Sequence, residues 1–567
     1  MSMSKRQALK AIFPKLQKLL PHLGDDSAGE ADNARCAINN LLATVKLDWH
    51  DLTALLLNKE ESVPDMLGRL FAKDQDVLIT LGLAGAVFFR STEDVFADVM
   101  VAGHRNTWPL SEPEFFDWLL HQFFIKKKKA PGPGAMKAAI RTLSAHAKFE
   151  GARHDVHLRV AKFGKKIYLD IGDPDCHTVE IDASGWRMIK DPPVWFRRTA
   201  GMAALPLPQS GGSIEQLRSL VNLNDDGFVL YVSCILDALC PGRPHPVLYL
   251  AGEEGSTKST VAKIARSLID PNAVPLRNLP TTVRDLFVSA HGSHALAFDN
   301  VSNISAAISD ALCQIASGTG FGTRKLFTDT VQLLIGGHRP MIINGLLNAI
   351  NRSDLADRAV IIPMSRIPEE QRCTETELWD RFEAQRSQIF GALLDRMVCG
   401  LRRLSLVRLQ RLPRMADFAL WSVATEAFAP GVFIRAFESA AAEATETVAE
   451  GDAVTVAIAA FMVARDSWSG TAAELLRELS IRDRTEAEPS AWKTWPREPS
   501  SFGKRLQSAK TILRKIGTEV VIGRASNRRR TRTITLRKIE PSARPQQTTK
   551  QDTLDGSVGS CAVTKVA

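Results

Sequence analysis

The spacing of apolar positions changes several times along the chain, and each change marks a segment of a different kind. Up to about residue 125 the apolar residues recur mostly at helical spacing. One stretch, AVFFRSTEDVFADVMVAGHRNTWPL, alternates instead and predicts two or three strands ahead of a helix at 113–124. From 155 to 207, short runs (VHLRVA, KIYLDIG, TVEID, GWRMI) are separated by Gly, Asp and Pro, the pattern of a small β-rich region. Two helical stretches, IEQLRSLVNL and FVLYVSCILDAL, lead into a third pattern. There, apolar strands at 247–250, 294–300 and 340–345, and one after residue 358, alternate with helices, which places the chain in the α/β class.

Near the C-terminus the period changes again. Two amphipathic helices, TAAELLRELS at 471–480 and SSFGKRLQSAKTILRKIG, precede alternating strands whose connecting tip is RASNRRRT. Ser500 or Ser501 is expected to cap the second helix. Helix, helix and arginine-tipped hairpin are the layout of a winged helix. A chain of 567 residues exceeds one hydrophobic core. The expected domains are a mostly helical N-terminal domain with a short strand pair (1–150), a small β-rich domain (151–210), a central domain (211–425), a helical linker with the winged-helix module (426–540), and a polar tail (541–567) of disordered composition.

Composition narrows the class. The eight cysteines, at 36, 176, 234, 240, 313, 373, 399 and 561, include no C-x-x-C pair, which argues against a zinc module or a disulfide framework. The neighbours Cys176 and His177 lack a second pair to complete a metal site. The longest apolar run, at 77–89, is too short to cross a bilayer, and MSMSKRQALKAIF has no signal-peptide core, so a cytoplasmic protein without membrane partners is expected. The net charge is +9, but twelve Lys/Arg against the single acid Glu519 fall between 502 and 538, so the remainder of the chain nets −2. Basicity concentrated in one module is a nucleic-acid footprint; an RNA-binding or localisation patch is the competing reading. The run of four lysines at 126–129 reads as a solvated linker ahead of APGPGA, with DNA contact the alternative.

The segment VLYLAGEEGSTKSTVAKIARSLID, at 247–270, carries the chemistry. A strand, a turn spanning Gly252, Gly255, Ser256 and Thr257, and a helix from Lys258, Ser259 and Thr260 onward are the setting of a phosphate-binding P-loop. Backbone N–H groups at the helix start would face the β-phosphate of ATP. Lys258 would supply a cation to the β- and γ-phosphates, and Ser259 a hydroxyl to Mg2+. The motif asks for glycine before the lysine; Thr257 stands there and is expected to fit through negative backbone angles. Asp299 ends the next apolar strand, 41 residues after Lys258, and is the expected magnesium partner. Asn300 follows where many such ATPases have a water-activating glutamate; it can orient a water but cannot take its proton. Asn344 ends a third strand and can reach between the two phosphate strands. Arg358 precedes a fourth, either to act on a neighbouring subunit's nucleotide or to pair with Asp354 or Asp357.

The order GEEGSTKS, AFDN, SGTGFGTRKLFTDT, PMIING resembles that of superfamily 3 helicases, and more narrowly the helicase half of poxvirus-type and phage-type primase-helicases of bacterial mobile elements. The resemblance covers 215–425. It implies an AAA+-like ATPase fold, a homo-oligomer such as a hexamer, and single-stranded or forked DNA as partner. It also implies a pore hairpin at Gly318, Gly320, Arg324 and Lys325 with Phe327 beside them; without the resemblance that segment reads equally as a solvated loop. In the C-terminal module, Lys504, Arg505 and Lys510 from the helix and Arg528, Arg529 and Arg530 from the tip are the candidate phosphate contacts. No primase signature occurs in the first 150 residues. Two functions remain open: an ATP-driven DNA translocase or helicase in replication of a mobile element, and an ATP-gated DNA-binding switch without unwinding. A metabolic P-loop kinase leaves the basic module unexplained.

Overall fold

The computed structural model describes residues 12, 14–16, 18–24, 28–56, 73–92, 94–132, 134–318, 321–324, 332–335, 337–346, 349–350, 352–482, 495–524 and 532–539. Two compact units are present, one made of 1–101 and 107–154, the other of 102–106 and 155–567.

In the first unit the long apolar run is a helix, Asp74–Gly85, that passes directly into the strand Ala86–Arg90. That strand pairs antiparallel with Val95–Val101. The helix Pro113–Lys127 follows, begun by proline at its first turn. The lysine run proves not to be a linker. Lys126 and Lys127 form the last turn of that helix, where cations meet the negative end of its dipole. Lys128 is its left-handed C-cap, and Lys129 pairs with Asp74 at 3.1 Å.

The second unit is built on a four-stranded parallel sheet: β1 (Val247–Gly252), β2 (Leu296–Val301), β3 (Met341–Gly345) and β4 (Ala359–Met364), in the order β2-β3-β1-β4. Each strand begins as an apolar run because both faces are covered, and β2 and β3 turn polar near their ends, at Asp299–Asn300 and Asn344. Leu248, Leu250, Ile342, Val360 and Ile362 join the core on one face, with the helices Asp225–Ala238, α1 (Lys258–Ile269) and Glu375–Arg403. Their alternate neighbours Val247, Tyr249, Phe298, Ile343 and Ile361 join the core on the other face, with Val283–His291 and Ala306–Ser317. The long helix Glu375–Arg403 starts with a full capping box between Thr374 and Glu377. Of the stretch IEQLRSLVNL, only Glu215–Arg218 is helical.

The β-rich segment forms an antiparallel four-stranded sheet over 160–189. Val160, Ile167, Leu169, Val179 and Ile181 belong to the same core as α1. The fully buried Arg159 ties it further to that domain, donating to Asp270 at 3.1 Å and to the carbonyls of Asp170, Ile171 and Ala203. Asp270 also pairs with Arg266 at 3.2 Å, so one buried carboxylate serves two guanidinium groups.

The C-terminal module has its own core, from Val454 to Leu536. Its order is helix Ala453–Met462, strand Ser467–Gly470, helix Ala472–Arg482, helix Pro499–Lys515, and strands Thr518–Arg524 and Arg532–Lys538, the last lying between the other two. Neither Ser500 nor Ser501 caps the third helix. Glu498 is the N-cap and Pro499 the first helical residue, while the Ser501 hydroxyl donates to the Glu498 carbonyl. Proline suits that first position because it has no N–H to satisfy there and its φ is already helical.

Candidate functional site

The loop between β1 and α1 lies at the C-terminal end of the sheet. Gly252 and Gly255 bracket it; Gly255 has φ +84°, and a β-carbon on Gly252 would stand 2.6 Å from the Met364 carbonyl and 2.9 Å from the hydroxyl of the fully buried Ser256. The Ser256 hydroxyl donates to the Glu253 carbonyl at 2.8 Å. Thr257 has φ 61° and ψ 25°, contrary to the negative angles expected of it. The turn into α1 demands a left-handed residue whatever its side chain, and the Thr257 hydroxyl donates to the Ser256 carbonyl at 2.6 Å. From that turn, Lys258, Ser259 and Thr260 open α1.

Lys258 folds over the loop, its ammonium 2.5 Å from the Glu253 carbonyl. Partial burial holds that ammonium below the usual lysine range, against the opposing charges of Asp299, Glu254 and Glu253. The Ser259 hydroxyl donates to the Asp299 carboxylate at 2.8 Å, joining the loop to the end of β2. Asn300 follows at φ 53°, where the pairing of β2 with β3 shifts register between Phe298 and Val301. Its N–H donates to the side-chain oxygen of Asn344 at 2.8 Å. Asn344 is fully buried on β3, the strand between β1 and β2, and its amide nitrogen has no partner among the described residues. Gly345 is required beside it, because a β-carbon there would stand 2.1 Å from the Val301 carbonyl.

Lys258, Ser259, Asp299, Asn300 and Asn344 therefore converge at one end of the sheet. Arg358 does not join them. It immediately precedes β4, whose first residue pairs with the first of β1, so it lies about 20 Å along the strands from the loop. Its guanidinium pairs with Asp354 at 2.5 Å, the bridge that the sequence left open.

Two contributors escaped the sequence reading. Asn222 donates to the carbonyls of Ser256 (3.3 Å) and Ser365 (2.7 Å), tying the loop to the chain after β4. Arg366 is exposed and stands 3.7 Å from where a β-carbon on Gly255 would be. Only its place as the first cation after β4 marks it in the sequence.

Strands Phe321–Arg324 and Gln332–Ile335 pair antiparallel, so a hairpin stands where one was expected, with the backbone of Arg324 at its end. Lys325 and Phe327 lie outside the described residues, as do Gly320 and the C-terminal tip with Arg528, Arg529 and Arg530. Gly318, at φ 71°, caps the preceding helix. On Pro499–Lys515, Lys504, Lys510 and Arg514 are exposed. The Arg505 guanidinium is half-buried and pairs at 2.9 Å with Asp452, the residue that caps the helix Ala453–Met462. Among the described residues, Asp173, Asp175 and His177 bring ligand atoms within 4.8 Å of one another, a group that does not include Cys176. Among the described residues no helix is long and apolar enough to cross a membrane.

Residues 214–446 match the family described as the actinomycete integrative conjugative element replication protein, and 454–550 match that protein's C-terminal domain. The class defined by both matches is the replication protein of a mobile element. Both matches are to the RepA protein of actinomycete integrative conjugative elements. No curated protein matches the chain. Among solved structures, the apo C-terminal region of NrS-1 is similar at 10% identity and a TM-score of 0.39, over 82% of this chain and 99% of that one. "SCCmec type IV Cch - active helicase" is similar at 11% identity and a TM-score of 0.42, over 80% of this chain and 93% of that one.

Proposed function

We propose that this protein is an ATP-driven DNA translocase or helicase of the superfamily 3 type that serves replication of its mobile element. The observation that carries the reading is the 2.8 Å contact between Ser259 and Asp299, beside Lys258. A hydroxyl at a helix start and a carboxylate from the adjoining acidic strand are the donor set that shares a magnesium ion on a nucleotide. The residues present fit Mg-ATP: the Gly252–Thr260 loop as a P-loop offers backbone N–H groups, and Lys258 offers its ammonium to the β- and γ-phosphates. The cation, when bound, supplies neutralisation of phosphate charge. Asn344 holds the Asn300 backbone with its oxygen and has its amide N–H group available to orient a water.

Arg358, remote from the loop of its own chain, acts on a neighbour's nucleotide in a homo-oligomeric ring. Its bond to Asp354 must open for that. The C-terminal topology supports a winged helix that meets phosphates through Lys504 and Lys510, with the arginine tip as the wing. The hairpin after Gly318 is the strand-gripping element. The family match to a replication protein of a mobile element agrees with this use of DNA.

A second reading is an ATP-gated DNA-binding switch, favoured by Asn300, which has no carboxylate to take a proton from water. ATP turnover with and without single-stranded DNA separates the two. Turnover that DNA raises at least tenfold, and that Lys258→Ala abolishes, is the expected result. Tight nucleotide binding with negligible turnover establishes the switch, and no nucleotide binding by the unmutated protein overturns both.

A further inference from the structure

Arg358 ends a chain of charges that begins in the C-terminal module. Lys515, the last residue of Pro499–Lys515, places its ammonium 2.7 Å from Asp357. Asp357 also accepts from Arg414 at 2.6 Å, Arg414 reaches Asp354 at 2.8 Å, and Asp354 holds Arg358 at 2.5 Å. From Lys515 to Arg358 the five charges alternate in sign. An apolar contact seats the same elements: the buried Ile512 and Ala449, with Ile516, pack against Ala356 of the short helix Ser353–Ala356 that leads to Arg358. Arg358 and Arg414 also border a cavity of about 190 Å³, so the Arg358 side chain has space to leave Asp354.

We infer that Lys515 is a positioning residue for Arg358, coupling DNA engagement by the C-terminal module to hydrolysis at a neighbouring subunit; this rests on the nucleotide and arginine roles proposed above. With Lys515 docked, Asp357 is partly neutralised and Arg414 is shared with Asp354. Asp354, holding a share of Arg414, grips Arg358 less strongly. When Lys515 is withdrawn, Asp357 draws Arg414 to itself and leaves Asp354 to Arg358 alone. Such half-exposed pairs are each worth roughly 0.2–1 kcal/mol, so partners exchange at little cost, as a relay requires. Lys504 and Lys510 lie on the same helix as Lys515, so DNA that holds this helix in its docked place keeps Lys515 on Asp357 and Arg358 loosely held.

The test uses the full chain and three variants, Lys515→Ala, Lys515→Arg and Lys515→Ala/Asp357→Asn, with DNA-stimulated ATP turnover, ATP affinity and DNA affinity as readouts. Lys515→Ala is expected to lower kcat about fivefold, with both affinities within about twofold of the parent. Lys515→Arg keeps the parent rate. Adding Asp357→Asn frees Arg414 for Asp354 and restores the rate that Lys515→Ala lost, which a merely structural contact does not do. An unchanged kcat in Lys515→Ala, or a double variant no faster than the single one, overturns the inference while the motor reading stands. Absence of DNA-stimulated turnover in the parent defeats the motor reading first and the inference with it.

Discussion

Thr257 adopts the left-handed conformation at the residue before Lys258, a position where glycine carries no strain. For a side chain this costs about 1–2 kcal/mol, and a β-branched residue is among the least suited. Thr257→Gly removes that strain but adds unfolded-state freedom worth about 0.4–1 kcal/mol. The variant is therefore expected to be as stable as the parent or up to about 1.6 kcal/mol more stable, and to bind ATP at least as well. Urea unfolding and a nucleotide titration check both. A loss of more than about 1 kcal/mol means the threonine hydroxyl, bonded to the Ser256 carbonyl, matters more than the backbone angle. Residue types announced the loop, but not its angles: a motif specifies which side chains stand where, whereas the sign of φ follows from how the turn enters α1. Arg366 and Asn222 were illegible for a related reason. Each meets the loop from a segment distant in sequence.

At the scale of elements, Pro499–Lys515 shows how a charge count and a surface differ. Three of its cations were expected on phosphates, yet helical spacing turns Arg505 toward Asp452 and leaves Lys504 and Lys510 exposed. Replacing Lys504 and Lys510 together by alanine is expected to weaken DNA binding and to flatten its salt dependence by about two units of log–log slope. Arg505→Ala is expected to leave that slope unchanged and to destabilise the module by about 0.2–1 kcal/mol. Binding isotherms across a salt series separate the two outcomes, and a slope that Arg505→Ala reduces as much contradicts the surface described. Strands were the most legible elements. β1 to β4 begin as apolar runs with both faces covered, strands 86–90 and 95–101 pair antiparallel, and the short runs at 160–189 form an antiparallel sheet. The lysine run at 126–129 misled because a run of like charge suits a helix C-terminus as well as a linker.

For the whole molecule, the sequence placed four motifs in order, and the fold supplied what order alone cannot. β3 lies between β1 and β2, so Asn344 sits on the strand between those that lead to the loop and to Asp299. The β-rich segment, distinct in its text, shares a core with the central domain, and the salt-bridged Arg159 and Asp270 lie 111 residues apart along the chain. Long-range pairing of this kind leaves no local pattern. The same fold puts Arg358 at the far end of the sheet, which makes the proposed catalytic unit a pair of neighbouring chains. Titration of ATP into the protein, with and without Mg2+, is the most direct test that Lys258, Ser259 and Asp299 form one magnesium-nucleotide site. The account predicts ATP binding that magnesium strengthens, a loss of about 10- to 100-fold in Lys258→Ala, and a loss of the magnesium increment in Asp299→Asn. Equal affinity in all three proteins, with or without the metal, contradicts it.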